Sequence, residues 1–176
     1  MIRRSEPLLS VAALCLVLLA SSARADDARL WGTFANPAQS EAAIDAAIER
    51  VVAQMTFFTR PFARAETKAA SPTFRRLTLD RSSDAITVSY DVGKPVRTPA
   101  DGSPGRWTRD DGDVYEVQTT FVDGHLHQSF KNKGGGRLNV FTLSPDGRML
   151  TIDVMLTSDR LPEPIRYQLV FERVAP

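Results

Sequence analysis

Tyr115-Glu116-Val117-Gln118-Thr119-Thr120-Phe121-Val122-Asp123-Gly124-His125-Leu126-His127-Gln128-Ser129-Phe130 is the stretch that decides the fold class. Asp-Gly between two β-type runs is the strongest short-range hairpin cue, because both turn residues must adopt positive φ. A two-residue turn there puts Val122 opposite His125, Phe121 opposite Leu126, Thr119 opposite Gln128 and Val117 opposite Phe130. Tyr115, Val117, Phe121, Leu126 and Phe130 then share one face, so the register by itself separates apolar from polar residues, as a half-buried hairpin requires.

The same pattern extends in both directions. Asp-Gly pairs recur at Asp101-Gly102, Asp111-Gly112 and Asp146-Gly147. Strands are expected at about 74–80, 85–92, 106–109, 114–122, 125–131, 137–143, 148–157 and 165–174. Ser144-Pro145-Asp146-Gly147 as a type I turn sets Leu138, Val140 and Thr142 inward against Val154, Ile152 and Leu150, leaving Phe141, Leu143 and Met149 as an apolar outer strip. In the first hairpin Ile86, Val88 and Tyr90 face Leu79, Leu77 and Arg75. The last strand turns Ile165, Tyr167, Leu169 and Phe171 inward, with Arg166, Gln168 and Glu172 outward. Gly93 to Gly105, with three prolines and three glycines, is expected as a surface loop. The fold class is therefore mainly β: an antiparallel up-and-down meander of about eight strands, either a barrel or a strongly curved sheet.

Upstream, Leu30-Trp31-Gly32-Thr33-Phe34 forms a short apolar piece. It precedes a helix-start signal with Asn36 as cap, Pro37 at the first helical position and Gln39 three residues on. Ile44, Ile48, Val51, Val52 and Met55 at helical spacing extend this into an amphipathic helix over about 37–55. Phe57, Phe58 and Phe62, broken by Pro61, suggest a short second helical piece capping something apolar, and 64–73 reads as connection.

Residues 1–25 have the layout of a secretory signal peptide, with Arg3 and Arg4, an apolar run from Leu8 to Ala20, and the cleavage pattern Ala23-Arg24-Ala25. That run falls short of the roughly 20 residues a bilayer-spanning helix needs. Ser5-Glu6 after the twin Arg departs from the twin-arginine export pattern, and Leu14 before Cys15 departs from a lipid-attachment site. The expectation is an exported protein, periplasmic or secreted, with 26–176 as a single domain. Cys15 is the only cysteine, so the mature chain excludes disulfides, cysteine-ligated metals and cysteine nucleophiles. Loss of Arg3, Arg4, Arg24 and Glu6 turns the formal charge from +1 to −1, which gives no electrostatic reason for a nucleic-acid partner.

A short strand bearing Gly32-Thr33-Phe34, a helical insertion and then a meander is similar in order to the lipocalin and fatty-acid-binding-protein group of β-barrels. Gly32-Thr33-Phe34 stands where that group carries Gly-x-Trp, with Trp31 one residue before the glycine. The resemblance implies that Arg173 on the last strand packs across Trp31 or Phe34 to close the barrel. It also implies an Arg-x-Tyr carboxylate clamp on that strand, and here Arg166 and Tyr167 are adjacent, with Arg166 turned outward.

Catalytic and metal motifs do not stand out. His125 and His127 share a strand face with no strong third ligand. Lys131-Asn132-Lys133-Gly134-Gly135-Gly136-Arg137 lacks the Lys-Ser/Thr ending of a nucleotide loop and reads as a hairpin connection. Asp110-Asp111-Gly112-Asp113 lacks calcium-loop spacing and reads as a solvated turn. No cofactor or metal is implied. The inward face carries more polar groups than a plain core requires, among them Arg75, Tyr90, Tyr115, Thr119, Gln128, Thr142 and Tyr167. Each needs a partner, because an unpartnered buried polar group costs about 1–3 kcal/mol. A pocket for a small hydrophobic ligand is the expectation, with Arg75, Tyr90, Tyr115, Gln128 and Tyr167 as the binding residues; the alternatives are a filled core and a module that docks a partner through the outer strip.

Overall fold

The computed structural model describes residues 29–38 and 41–175, so the expected leader 1–25 and Gln39 of the capping pattern lie outside the described residues. Ten strands follow one another: β1 Gly32–Ala35, β2 Arg76–Arg81, β3 Ala85–Tyr90, β4 Val96–Pro99, β5 Gly105–Thr108, β6 Val114–Val122, β7 His125–Asn132, β8 Gly135–Leu143, β9 Met149–Ser158 and β10 Ile165–Arg173. Two helices, α1 Glu41–Val52 and α2 Arg60–Ala69, are inserted between β1 and β2. The strands form one antiparallel sheet in the order β4-β3-β2-β1-β10-β9-β8-β7-β6-β5. Every pairing joins chain neighbours except β1 with β10, where Phe34 lies opposite Arg173. The two ends of the order meet without a ladder: a Cβ added at Gly105 on β5 would lie 3.4 Å from Pro99 Cδ on β4. Trp107 Nε1 spans the seam by donating to the Pro95 carbonyl at 3.0 Å. The sheet is thus a nearly closed barrel.

The strand count exceeds the expected eight by β1 and β4. β4 falls inside the segment expected as a loop, where Pro95 and Pro99 disguise it. Val96 and Thr98 nevertheless turn inward and are buried. A proline is tolerated at Pro99 because β4 has no ladder partner on its seam side.

α1 buries Ile44, Ala47, Ile48, Val51 and Val52, a spacing of i, i+3, i+4, i+7 and i+8 that gives one apolar face. It is shorter than the sequence suggests, since the Asn36 side chain accepts from the Ala38 N–H at 3.0 Å and closes a separate turn. α2 corrects the expected connection over 64–73. Pro61 sits in its first turn, where no intrahelical N–H is required, and so starts the helix instead of breaking it. Phe57, Phe58 and Phe62 are exposed at 79%, 82% and 76%, so they do not cap an apolar surface.

The Asp123-Gly124 hairpin has the expected register throughout, with φ of 51° and 82° at the two turn residues. Two other hairpins depart from expectation. In the first, Leu77 pairs with Tyr90 and Leu79 with Val88, a shift of two residues that keeps the faces but leaves Arg75 exposed before the strand starts. In the β8–β9 hairpin, Leu143 pairs with Leu150, Phe141 with Ile152 and Asn139 with Val154. The loop holds four residues, Pro145 to Arg148, closed by Ser144 N–H to the Met149 carbonyl at 2.8 Å. The Arg148 carbonyl accepts from the Arg173 N–H at 2.7 Å, which ties this end of the loop to β10. One added loop residue moves every β8 side chain to the opposite face. Phe141 is therefore a core residue at 1% exposure, the outer strip Phe141, Leu143 and Met149 does not form, and Thr142 faces outward.

Candidate functional site: a cavity beneath helix α2

An up-and-down meander places alternate turns at the same end. The turns after β3, β5, β7 and β9 lie at the end covered by α2, and a cavity of about 550 Å³ opens among them. Its inner wall is largely aromatic, built from Phe74, Tyr90, Trp107, Tyr115 and Phe130 together with Val96. Arg137, Asn139 and Leu156 complete the wall, and α2 covers it with Ala63, Glu66 and Thr67, with Ala70 just beyond its end. The opposite half of the barrel is solid: Phe34, Leu126, Phe141, Ile152 and Phe171 are each 1% exposed or less and do not reach the cavity.

The rings form two groups. Phe74 and Tyr90 lie 4.4 Å apart, and Phe74 also stacks on Phe171 at 5.3 Å. Trp107, Tyr115 and Phe130 contact one another at 5.8–6.3 Å, two of the three pairs edge-to-face.

Among the described residues the one cation on the inner wall is Arg137, brought inside by the β8 register. Its Nε donates to Asn139 Oδ1 at 2.7 Å and its Nη1 to the Ala70 carbonyl at the end of α2 at 3.0 Å. Among the described residues no carboxylate pairs with it. The rim differs: Arg109 bonds Asp111 and, at 3.1 Å, Asp113; Lys94 lies 3.4 Å from Asp110; Arg160 lies 3.1 Å from Glu66. The Arg109 hydrogen bond holds the Asp111 carboxyl below the usual range. Charge at the rim is thus matched locally, while Arg137 stands among the inner-wall residues with no carboxylate beside it among the described residues.

Burial pushes the Tyr90 phenol up to about 12, with Arg137 opposing the rise and Tyr167 adding to it. Tyr90 is therefore a neutral hydrogen-bond donor at any physiological pH. Burial also raises Tyr115. Behind Arg137 a polar row crosses three strands. Asn139 Nδ2 reaches Gln128 Oε1 at 3.5 Å, and Thr119 lies opposite Gln128. Gln128 Nε2 and Thr119 Oγ1 are buried without a hydrogen-bond partner among the described residues.

Of the residues singled out from sequence, Tyr90 and Tyr115 line the cavity. Gln128 is buried behind Asn139, Tyr167 packs in the interior near Tyr90 outside the lining, and Arg75 is exposed on the surface. Thr142 is outside, with its hydroxyl 3.0 Å from His125 Nδ1. Arg137, Asn139, Phe74, Trp107, Val96 and Leu156 are among the lining residues that sequence reasoning did not select. At the far end, Arg173 Cζ lies 4.5 Å from the Phe34 ring centroid. Its guanidinium donates to the carbonyls of Gly147 at 2.8 Å, Trp31 at 3.0 Å, and Arg29. A Cβ at Gly32 would lie 2.6 Å from Arg173 Nη1, so glycine is what allows the guanidinium to approach. Trp31 itself packs edge-on against Phe121 at 6.0 Å, with Arg81 over its ring.

No protein-family model and no curated protein sequence matches the chain. Solved structures do. The fatty acid transporter REP1-NXSQ superposes with a TM-score of 0.52 at 13% identity, over 85% of this chain and 98% of that one. Apo lipid binding protein 8 of Caenorhabditis elegans superposes with a TM-score of 0.52 at 12% identity, over 83% of this chain and 96% of that one. With ten strands in meander order, a helix pair between the first two and a first-to-last strand closure, the chain has the fold of the fatty-acid- and lipid-binding β-barrels.

Proposed function

We propose that the protein is an exported, non-enzymatic carrier or scavenger of a small apolar or amphipathic molecule with an acidic head group. The observation that carries this reading is Arg137, a guanidinium without a carboxylate partner among the described residues, set in a cavity whose inner wall carries the rings of Phe74, Tyr90, Trp107, Tyr115 and Phe130. An apolar pocket with a few placed polar groups is the common design of small-molecule sites. A guanidinium presents paired donors suited to a carboxylate. The fold shared with a fatty acid transporter and a lipid binding protein supports the same reading, and the leader pattern at 1–25 supports export.

Calorimetric titration with decanoate and with decanol tests it. A charge-assisted hydrogen bond contributes roughly 1.5–3 kcal/mol, so decanoate should bind at least about tenfold tighter than the alcohol. Arg137→Met should abolish that difference while decanol binding persists. Absence of binding by any apolar carboxylate, or an acid preference that survives Arg137→Met, overturns the reading. Export is tested by fractionating cells that express the full chain: a processed product beginning at Asp26 outside the cytoplasm is expected, and an intact cytoplasmic chain rules it out.

A further inference from the structure

We propose that the cavity selects planar, ring-bearing carboxylates over straight-chain ones. This deepens the carrier reading and rests on it. The lower half of the barrel is filled by Phe34, Phe141 and Phe171, so the space is a chamber under α2 and not a channel along the barrel axis. Inward layers along a strand lie about 7 Å apart. The chamber reaches the layer of Phe130 and Arg137 and then that of Asn139, where it ends. A long acyl chain must fold back on itself to fit and loses rotamer freedom in doing so, whereas a fused ring has none to lose.

Phe74 with Tyr90, and Trp107 with Tyr115 and Phe130, present two sets of rings to one chamber. Aromatic pairs gain from offset-stacked and edge-to-face contacts beyond the area they bury, a gain that a saturated chain cannot match. Arg137 is planar, and its Nη1 and Nε bonds to Ala70 and Asn139 hold it at the chamber wall, where it can meet a carboxylate attached directly to a ring.

The test compares two acids of equal carbon number, anthracene-9-carboxylate and pentadecanoate, by calorimetry on the mature protein. Anthracene-9-carboxylate should bind about tenfold tighter or more. Trp107→Leu, which keeps an apolar side chain but removes the ring, should cut that ratio to below about threefold. Equal or tighter binding of pentadecanoate overturns the ring preference and leaves the carrier reading standing. Failure of both acids to bind while decanoate binds overturns the ring preference alone, and failure of all three removes the carrier reading as well. A ratio unchanged by Trp107→Leu removes the aromatic wall as its cause.

Discussion

Truncation of Phe141 tests the β8 register on which the site depends. Phe141 is 1% exposed and lies between Leu126 on β7 and Ile152 on β9, themselves 0% and 1% exposed, so the cavity left by Phe141→Ala has rigid walls on both sides. Such a deletion costs about 3–5 kcal/mol, a large part of the 5–15 kcal/mol that holds a typical domain folded. Leu138, on the same strand with opposite parity, is half-buried on the outer face beside Met155. Leu138→Ala should cost no more than about 1 kcal/mol. If the hairpin turned with one loop residue fewer, the two costs would exchange. Urea unfolding followed by far-ultraviolet circular dichroism, with the slope held common across variants, measures both. A larger loss for Leu138→Ala than for Phe141→Ala refutes the register, and with it the inward placement of Arg137.

Three further outcomes are expected. Thr119→Val replaces an unpartnered buried hydroxyl by a methyl of similar shape and should stabilise the fold by about 1 kcal/mol in the same assay; a loss of that size contradicts the unpartnered state. Arg173→Met removes the donor to three carbonyls and the cation over Phe34, and should destabilise by about 2–4 kcal/mol; a neutral result would show that the guanidinium does not close the barrel. Because burial raises Tyr90 from 10 to about 12, the folded state holds that proton more tightly than the unfolded chain does. The resulting stability is complete below pH 10 and is lost as the pH rises through about 12. An absorbance titration should show a phenol ionising only near pH 12 that is missing in Tyr90→Phe, and the absence of any such phenol with strand structure intact would contradict the burial of Tyr90.

The barrel was legible in the sequence because its Asp-Gly turns and period-two strands agree with each other at every level. Asp123-Gly124 could be read to the residue, since a two-residue turn leaves no freedom in loop length. The site was less legible, for a physical reason. Parity on β8 favoured Leu138 and Val140 as the inward set, because the true inward set begins with Arg137 and Asn139. Those residues break the apolar pattern where the strand lines a cavity, and local rules are expected to fail at functional positions. The missing signal was the Ser144-x-Asp146 pair. Ser144 Oγ donates to Asp146 Oδ1 at 2.5 Å, and that oxygen accepts from the Arg148 N–H at 3.0 Å, closing a loop one residue longer than a simple type I turn. Trp107 was missed as a lining residue because β5 is short and lies at the seam, where burial does not follow from strand parity alone.

A crystal structure grown with a saturating apolar carboxylate would show where such a ligand sits. The ligand is expected in the chamber under α2, its rings or chain against Tyr90, Trp107 and Phe130 and its carboxylate within hydrogen-bond distance of the Arg137 guanidinium. A ligand on the outer face, or one with its carboxylate on Arg109 or Arg160 at the rim while Arg137 keeps only its bonds to Asn139 and Ala70, would contradict the account.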